Sequence, residues 1–510
     1  MCGITAVFDF DPTPARAREG RELGEAMLGQ LVHRGPDGSG SQQIGAHVWL
    51  GHTRLSIVDL EGGQQPLWLN GAWAVVNGEI YNHADLRARL GGPFVTQSDS
   101  EIVLHLVTRH GPESIHDMKG MYAFAVVDPD QTLGLGRDPL GVKPLYWARW
   151  ENRLLVASEL GAFPELARGH VEEFPPGHYW TSTDGLVPFV DLRTNPLGDA
   201  TPRAPVFDDK PSARVQIRNT LVDAVTARMM GDVPVGVFLS GGLDSSIVAA
   251  IMARETSDDQ PIHSFAAGVD GSGDLAAARL VAERLGLCHH ERVYTDDDVI
   301  DSLQAVVRST ESYEPSLIRS AVPNYLLAQL AAGHVKVVLT GEGADELFAG
   351  YHHLRDMDAE ELREALIDGV EVLHHLNLQR CDRVTMAHGL EARVPFLARE
   401  LLDVARRVPV EWKLLGEDGQ EKALLREAFE GWLPTQILWR RKEQFGDGSG
   451  TADVMARQAA SFVPDEDWAS LRIEGLPAAR SREELGYQRI FAERLSGIRA
   501  EWVLGRFATP

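Results

Sequence analysis

Cys2 stands directly behind the initiator methionine, so removal of Met1 would leave a thiol beside its own α-amine. A free α-amine has a pKa of about 7.7 to 8.0 and can take up the thiol proton near neutral pH, which makes one residue both nucleophile and base. Attack by such a thiol on a carboxamide creates an oxyanion, and hydrogen-bond donors must be fixed where that charge develops. Asn77 and Gly78 of NGEIYN offer a side-chain amide and a backbone N–H. An amino-acid amide also carries a carboxylate and an ammonium, for which Arg54 of RLSIVD and the acids Glu79 and Asp99 are suitable partners. Taken singly, Cys2 is a small apolar start to a strand, NGE a hairpin turn, Arg54 a solvated strand residue and Asp99 a helix cap. Their joint appearance gives the chemical reading its weight.

A second set of motifs lies beyond residue 235. SGGLDSS, comprising Ser240, Gly241, Gly242, Leu243, Asp244, Ser245 and Ser246, follows the apolar VGVFL and opens the helical SIVAAIMA. A glycine-rich loop at a helix N-terminus presents free backbone N–H groups to phosphate. It is not a GxxxxGK[ST] loop, and GLGRDPLG at 134–141 has the wrong spacing and context for a dinucleotide fingerprint. TGEGADELFAGY at 340–351 is another strand–loop–helix junction, with glycines that admit a ligand and three carboxylates close together. The plain alternatives are a βα turn with a serine cap and an acidic helix start. The pairs His289-His290, His352-His353 and His374-His375 read poorly as metal sites, because neighbours point apart on a strand and diverge by about 100° on a helix. With three cysteines and no CxxC spacing, neither a disulfide framework nor a structural zinc site is expected, and Cys288 and Cys381 read as core residues.

The elements that must hold these residues change in texture along the chain. Residues 2 to about 190 carry short β runs (ITAVFDF, HVWLGHTRLSIVD, AWAVVNGEIY, MYAFAVVD and RLLVASEL) between Gly, Pro, Asn and Asp turns, with helices expected within 16–32 and at 99–110. Residues 191–211 are proline-rich and aperiodic, and read as a linker. Beyond, over 212–510, apolar strands alternate with Ala- and Leu-rich helices, the pattern of a doubly wound parallel sheet, with further helices at 359–376 and 420–431. The residues after about 465 offer no reading. At 510 residues the chain exceeds one core, so several domains are expected. No run reaches the roughly 18 apolar residues of a membrane span, and MCGITAVFDFDP lacks a basic region ahead of an apolar one, so neither membrane nor secretion is expected and a cytoplasmic setting is. The net charge of −25 repels polyphosphate, which excludes general nucleic-acid binding but not a local nucleotide site.

MCGI, HRGPDG at 33–38, RLSIVD, NGEIYN and SDSE together resemble the glutaminase domain of class-II, N-terminal-nucleophile amidotransferases. The resemblance implies an αββα sandwich of helices around antiparallel sheets, with Cys2 as nucleophile. It further implies that Arg54, Leu55, Ser56, Ile57, Val58, Asn77, Gly78, Glu79 and Asp99 hold glutamine. SGGLDSS resembles the pyrophosphate loop of ATP pyrophosphatases, which adenylate an acid or amide. TGEGADE, RCDRVTMAHGLEARVPFL at 380–397 and RRKEQFGDGSG at 440–450 are similar to asparagine synthetases, so the resemblance spans residues 2 to about 450. It implies ATP and Mg²⁺, the metal held by Asp244 and Asp345, whose hard oxygens suit it. It places Leu239, Ala267, Thr340 and Gly341 around the nucleotide, and gives Glu342 a part in forming and using an aspartyl adenylate. Lys442 would lie against the phosphates, Arg319 against phosphate or substrate carboxylate. Glutamine, aspartate and ATP are then the expected partners, in a family where homodimers are common. One departure bears on the acceptor acid: many relatives carry two threonines shortly before the arginine, where this chain has Ser316 and Leu317.

Overall fold

The computed structural model describes residues 2–195, 206–257, 260–413, 420–441, 454–455, 458, 463 and 468–505. The first part of the chain forms strands β1 (Gly3–Asp9), β2 (Gly38–Ile44), β3 (Val48–Arg54), β4 (Leu67–Leu69), β5 (Ala72–Ile80) and β6 (Gly120–Val127). It continues with β7 (Leu133–Arg137), β8 (Tyr146–Trp150), β9 (Arg153–Ala157), β10 (Val171–Glu173), β11 (His178–Thr181) and β12 (Gly185–Pro188). These make two antiparallel sheets, in the orders β10-β8-β9-β1-β3-β2 and β12-β11-β7-β6-β5-β4. Strand alternation sorts the side chains between layers. Ile4, Ala6 and Phe8 meet Val75, Ala123 and Leu135 between the sheets. Val7 and Trp49 point outward to Met27 of α1 (Pro14–Gly29). On the opposite face Val76, Phe124 and Val126 meet Leu104 and Leu106 of α3 (Glu101–His110). The result is the expected αββα sandwich.

Helix α1 starts earlier than its apolar spacing suggests, because Thr13 caps it by accepting from the Arg16 N–H at 3.2 Å and Pro14 fits its first turn. An additional short helix, α2 (His83–Leu90), has no counterpart among the sequence expectations; it buries only Leu86, so it has no apolar stripe to read.

The second sheet system comprises β13 (Val235–Phe238), β14 (His263–Gly268), β15 (Cys288–Val293), β16 (Val337–Leu339) and β17 (Glu391–Arg393). All pairings are parallel, in the order β15-β14-β13-β16-β17. Helices α4 (Lys210–Arg228), α5 (Leu243–Glu255), α6 (Gly273–Leu285), α7 (Asp296–Thr310) and α8 (Pro315–Ala331) alternate with the strands. Helix α5 buries every residue from Ser245 to Met252, as an apolar helix packed on all sides must. The winding reverses between β13 and β16, and at such a switch point the loops leaving adjacent strands diverge to form a crevice. SGGLDSS leaves β13 and TGEGADE leaves β16.

Three further helices matter here: α9 (Ala344–Phe348), α10 (Ala359–Glu371) and α11 (Asn377–Met386). The helix expected over 359–376 ends at Glu371 and gives way to a tighter turn at Leu373–His375; that expected over 420–431 shrinks to Ala423–Ala428. A late helix, Arg482–Leu495, packs Tyr487, Ile490 and Phe491 into the core around α7 and α8. The sandwich and the parallel sheet share apolar cores: Leu55, Ile57, Met121 and Val142 cluster with Leu239, Ala392 and Val394. No helix among the described residues is long and apolar enough to cross a membrane.

Candidate active sites

Cys2 precedes β1 and is buried. Its backbone N–H donates to Asn77 Oδ1 at 3.0 Å, and its carbonyl accepts from Arg34 Nε at 3.0 Å. Burial pushes the thiol up from its ordinary range, opposed by a hydrogen bond from the Leu55 backbone. Asn77 lies inside β5 rather than in a hairpin turn, and its buried Nδ2 has no hydrogen-bond partner among the described residues. A buried donor left unpaired costs roughly 1–3 kcal/mol, so an oxygen is wanted there. Gly78 has φ 147°, and a Cβ on it would stand 2.0 Å from the Met121 carbonyl oxygen, so only glycine fits.

The remaining residues of this centre divide into two groups. Arg54 ends β3 and is buried; its guanidinium donates to the carbonyls of Leu60 (3.1 Å) and Asp59 (2.6 Å) and thereby fixes the loop carrying Leu55, Ser56, Ile57 and Val58. Glu79 and Asp99 are the buried acids. Asp99 accepts from the Ile80 N–H at 2.7 Å, and the cap position of α3 falls to Ser100 instead. Burial raises Asp99 to about 6, with Glu391 adding to the rise against that hydrogen bond. Glu79 is driven well above the carboxylate range by burial, Glu391 and Asp99, although Arg393 Nη2 lies 3.5 Å from its Oε2.

At the switch point a cavity of about 690 Å³ opens between the two loops. Leu239, Ser240, Gly242, Leu243, Asp244 and Ser245 line one side, with Ala267 from β14; Thr340, Gly341, Glu342 and Asp345 line the other. Gly241 is packed behind against Ala277, and Ser246 is buried within α5. The loops touch: a Cβ on Gly341 would sit 2.8 Å from the Asp244 Cβ and 2.9 Å from the Ser245 nitrogen. Asp244 and Asp345 converge on Lys422 Nζ, at 2.6 and 2.8 Å. Burial alone would lower that lysine; its two carboxylates prevail and raise it. Glu346 is buried beneath, accepting from Tyr351 Oη at 2.5 Å and Asn377 Nδ2 at 3.2 Å, and burial with Asp345 raises it to about 7.

Two cationic assignments fare differently. Arg319 is turned toward Glu483, which accepts its Nε at 3.1 Å and Nη2 at 2.5 Å, while Ser316, Leu317 and Ser320 of the same helix line the cavity. Lys442 lies outside the described residues; Arg440 and Arg441 just before it line the cavity. Residue reasoning missed Lys422, Arg380 and Arg34. Arg380 pairs with Glu342, and Arg34 of HRGPDG joins Glu159 at 2.7 Å to Asp382 of α11 at 2.9 Å. Arg380 and Arg34 stand in motifs that the sequence displays, but their partners, 38 positions away for Arg380 and 125 and 348 for Arg34, are not displayed with them.

One residue relates the two centres. Arg393 of β17 stands against Glu79 through its guanidinium, while its carbonyl accepts from the Thr340 N–H at 2.9 Å where β16 runs into TGEGADE. A buried N-terminal thiol in an antiparallel sandwich, joined to a parallel sheet with a glycine loop and paired carboxylates at its switch point, defines an amidotransferase of the ligase class. Residues 1–185 match the glutamine amidotransferase domain model, and residues 216–364 and 355–495 the asparagine synthase model. Asparagine synthetase B [glutamine-hydrolyzing] of Escherichia coli (strain K12) is 40% identical, over 97% of this chain and 91% of its own. The asparagine synthetase [glutamine-hydrolyzing] of Sandersonia aurantiaca is 37% identical over 98% of both chains, and the probable one of Schizosaccharomyces pombe 38% over 97% and 93%. Among solved structures, glutamine phosphoribosylpyrophosphate amidotransferase from B. subtilis aligns over 71% of this chain and 79% of its own at 18% identity and TM-score 0.31, too slight a likeness to carry an argument. The chain belongs to the glutamine-hydrolysing asparagine synthetase family.

Proposed function

We propose that the chain hydrolyses glutamine at Cys2, adenylates the side-chain carboxylate of aspartate with ATP, and lets the released ammonia displace AMP to give asparagine. The glutaminase part is then residues 2–190 and the synthetase part 212–510, joined by 191–211. The observation that carries this reading is Arg393, which touches the acid of one centre and pairs with the strand that delivers the other. Two chemistries that share an intermediate gain from a common rigid element.

In the first centre the α-amine freed at Cys2 is the base, held by Asn77 Oδ1, while the unpaired Asn77 Nδ2 and the Gly78 N–H meet the developing oxyanion. Asp99 and Glu79 face the substrate ammonium, and the loop fixed by Arg54 meets the rest of glutamine. Ammonia crosses as a neutral molecule, which suits the shared apolar packing of Leu55, Met121, Val142, Ala392 and Val394. In the second centre SGGLDSS cradles phosphate, and Glu342, oriented by Arg380, lies beside the acceptor acid. Asp244 and Asp345, whose hard carboxylate oxygens suit Mg²⁺, are the residues that would hold it, next to the Lys422 ammonium on which both converge. That ion, when bound, would screen the charge of the polyphosphate. Lys422 supplies a fixed positive charge in the same cavity. The cysteines are free thiols, which suits a reducing cytoplasm.

The test is incubation with glutamine, ATP, Mg²⁺ and a panel of carboxylic acids, with products identified by mass. Asparagine, AMP and pyrophosphate are expected. ADP as the stoichiometric product would refute the adenylation chemistry. A bulkier acid that is amidated while aspartate is inert would refute the aspartate assignment alone, and the presence of Leu317 on the cavity wall makes that arm worth including.

A further inference from the structure

On the parallel sheet the register sets His263 of β14 beside Cys288 of β15 and Phe265 beside His290. Residues two apart on a strand share a face, so His263, Cys288 and His290 project from the same side. His263 Nδ1 lies 2.9 Å from His290 Nε2, and Cys288 Sγ lies 3.5 Å from that same nitrogen. His334, in the connection between α8 and β16, lies tilted over His290 with ring centroids 4.0 Å apart. One donor nitrogen from each of the three histidines lies within 4.8 Å of the others. His289 is turned to the opposite face, against Ser264 and Glu291, so the adjacent pair does diverge as strand geometry demands. The convergence comes from three separate elements, which no spacing in the sequence displays.

We propose that His263, His290 and His334, with the Cys288 thiolate as fourth ligand, bind a borderline divalent transition ion, Zn²⁺ foremost. Metal–nitrogen distances of about 2.0–2.1 Å and a metal–sulfur distance of about 2.3 Å place tetrahedral donors roughly 3.3–3.8 Å apart; the three histidine nitrogens lie within 4.8 Å of one another and Cys288 Sγ lies 3.5 Å from His290 Nε2, so side-chain rotation must draw the donors inward to form the shell. Imidazole and thiolate together select zinc, cobalt or nickel over magnesium or calcium. On binding, the Cys288 proton passes to solvent. His374 and His375 also converge, on Glu173, contrary to the expectation for adjacent histidines; but Arg137 Nη1 sits 2.7 Å from Glu173 Oε1, and this fixed cation already neutralises the carboxylate. The proposed site lies at the N-terminal ends of β14 and β15, whereas the nucleotide loops leave the C-terminal ends of β13 and β16. An ion there ties two strands to the α8–β16 connection without entering either catalytic centre.

The full-length protein, free of any histidine tag and stripped with chelator, is titrated with Co²⁺ and then Zn²⁺. One ion per chain is expected, with cobalt d–d bands of tetrahedral intensity, a sulfur-to-cobalt charge-transfer band, and a zinc-dependent rise in Tm of a few degrees. His334→Ala, at an exposed position whose loss leaves the core intact, should weaken binding at least tenfold and remove the Tm rise. His290→Ala should abolish binding. Cys288→Ser should erase the charge-transfer band while the d–d bands persist. The proposal is overturned if the wild type takes up no ion, or if its affinity is unchanged in both histidine variants; a wild-type spectrum without the sulfur band removes Cys288 from the shell.

Discussion

At Cys2, glutamine chemistry and ammonia chemistry part company. In the proposed mechanism only the glutamine route uses the thiol, so Cys2→Ala should abolish glutamine-dependent synthesis while synthesis from ammonium salts continues, as measured by asparagine formed from each donor. Equal loss of both would contradict the division of labour. Asn77 has two tasks in one amide, holding the Cys2 nitrogen and offering Nδ2. Its replacement by alanine should lower glutaminase kcat by about 100- to 1,000-fold, the usual cost of one oxyanion donor, with ammonia-dependent synthesis kept. In its proposed role against the substrate ammonium, Asp99 gives the centre a pH dependence. With its carboxyl raised to about 6, the charged form that holds an ammonium dominates only above that value and is lost as pH falls. KM for glutamine should therefore rise between pH 7 and 5, while ammonia-dependent turnover at matched free NH₃ stays level. A flat KM across that range would remove Asp99 from the substrate site.

Loops succeed or fail through the elements they leave. SGGLDSS and TGEGADE approach so closely that Gly341→Ala would force its Cβ into Asp244 and the Ser245 backbone. Backbone cannot rotate aside as a flexible side chain can, so this variant should lose ATP–pyrophosphate exchange by an order of magnitude or more while glutaminase activity persists. Much of this scaffold was readable in advance. The apolar runs of β1, β3, β5 and β6 between turn residues, the apolar α5 and the two glycine loops all carry local signals that packing reinforces. What escaped reading lacks a local signal. Helix α2 buries a single leucine. Lys422 reaches Asp244 across 178 positions from a left-handed turn, with φ 57°, ahead of a short helix. Arg319 bore the right charge at a cavity-lining helix, yet the late helix Arg482–Leu495, itself opaque in sequence, supplies Glu483 and claims it.

The two halves are joined by buried charge as well as by apolar packing. Helix α11 presents Arg380 to Glu342 in the synthetase cavity and, two residues on, Asp382 to Arg34, whose Nε holds the carbonyl of Cys2. A displacement of α11 thus moves groups at both centres, which gives ligand occupancy in one a physical path to the other. Asp382→Asn tests that path. The amide keeps the shape and one acceptor oxygen but removes the charge opposite Arg34, Arg383 and Lys143. Breaking a buried pair costs about 3–5 kcal/mol when a charge is stranded; here Arg34 retains Glu159, so a loss near the lower end is expected by chemical denaturation. The sharper readout is stoichiometric. If α11 couples the centres, the variant should hydrolyse glutamine without keeping pace in synthesis, and the ratio of glutamate to asparagine should rise at saturating ATP and aspartate. An unchanged ratio alongside the stability loss would reduce Asp382 to a structural brace and leave the coupling to the Arg393 strand.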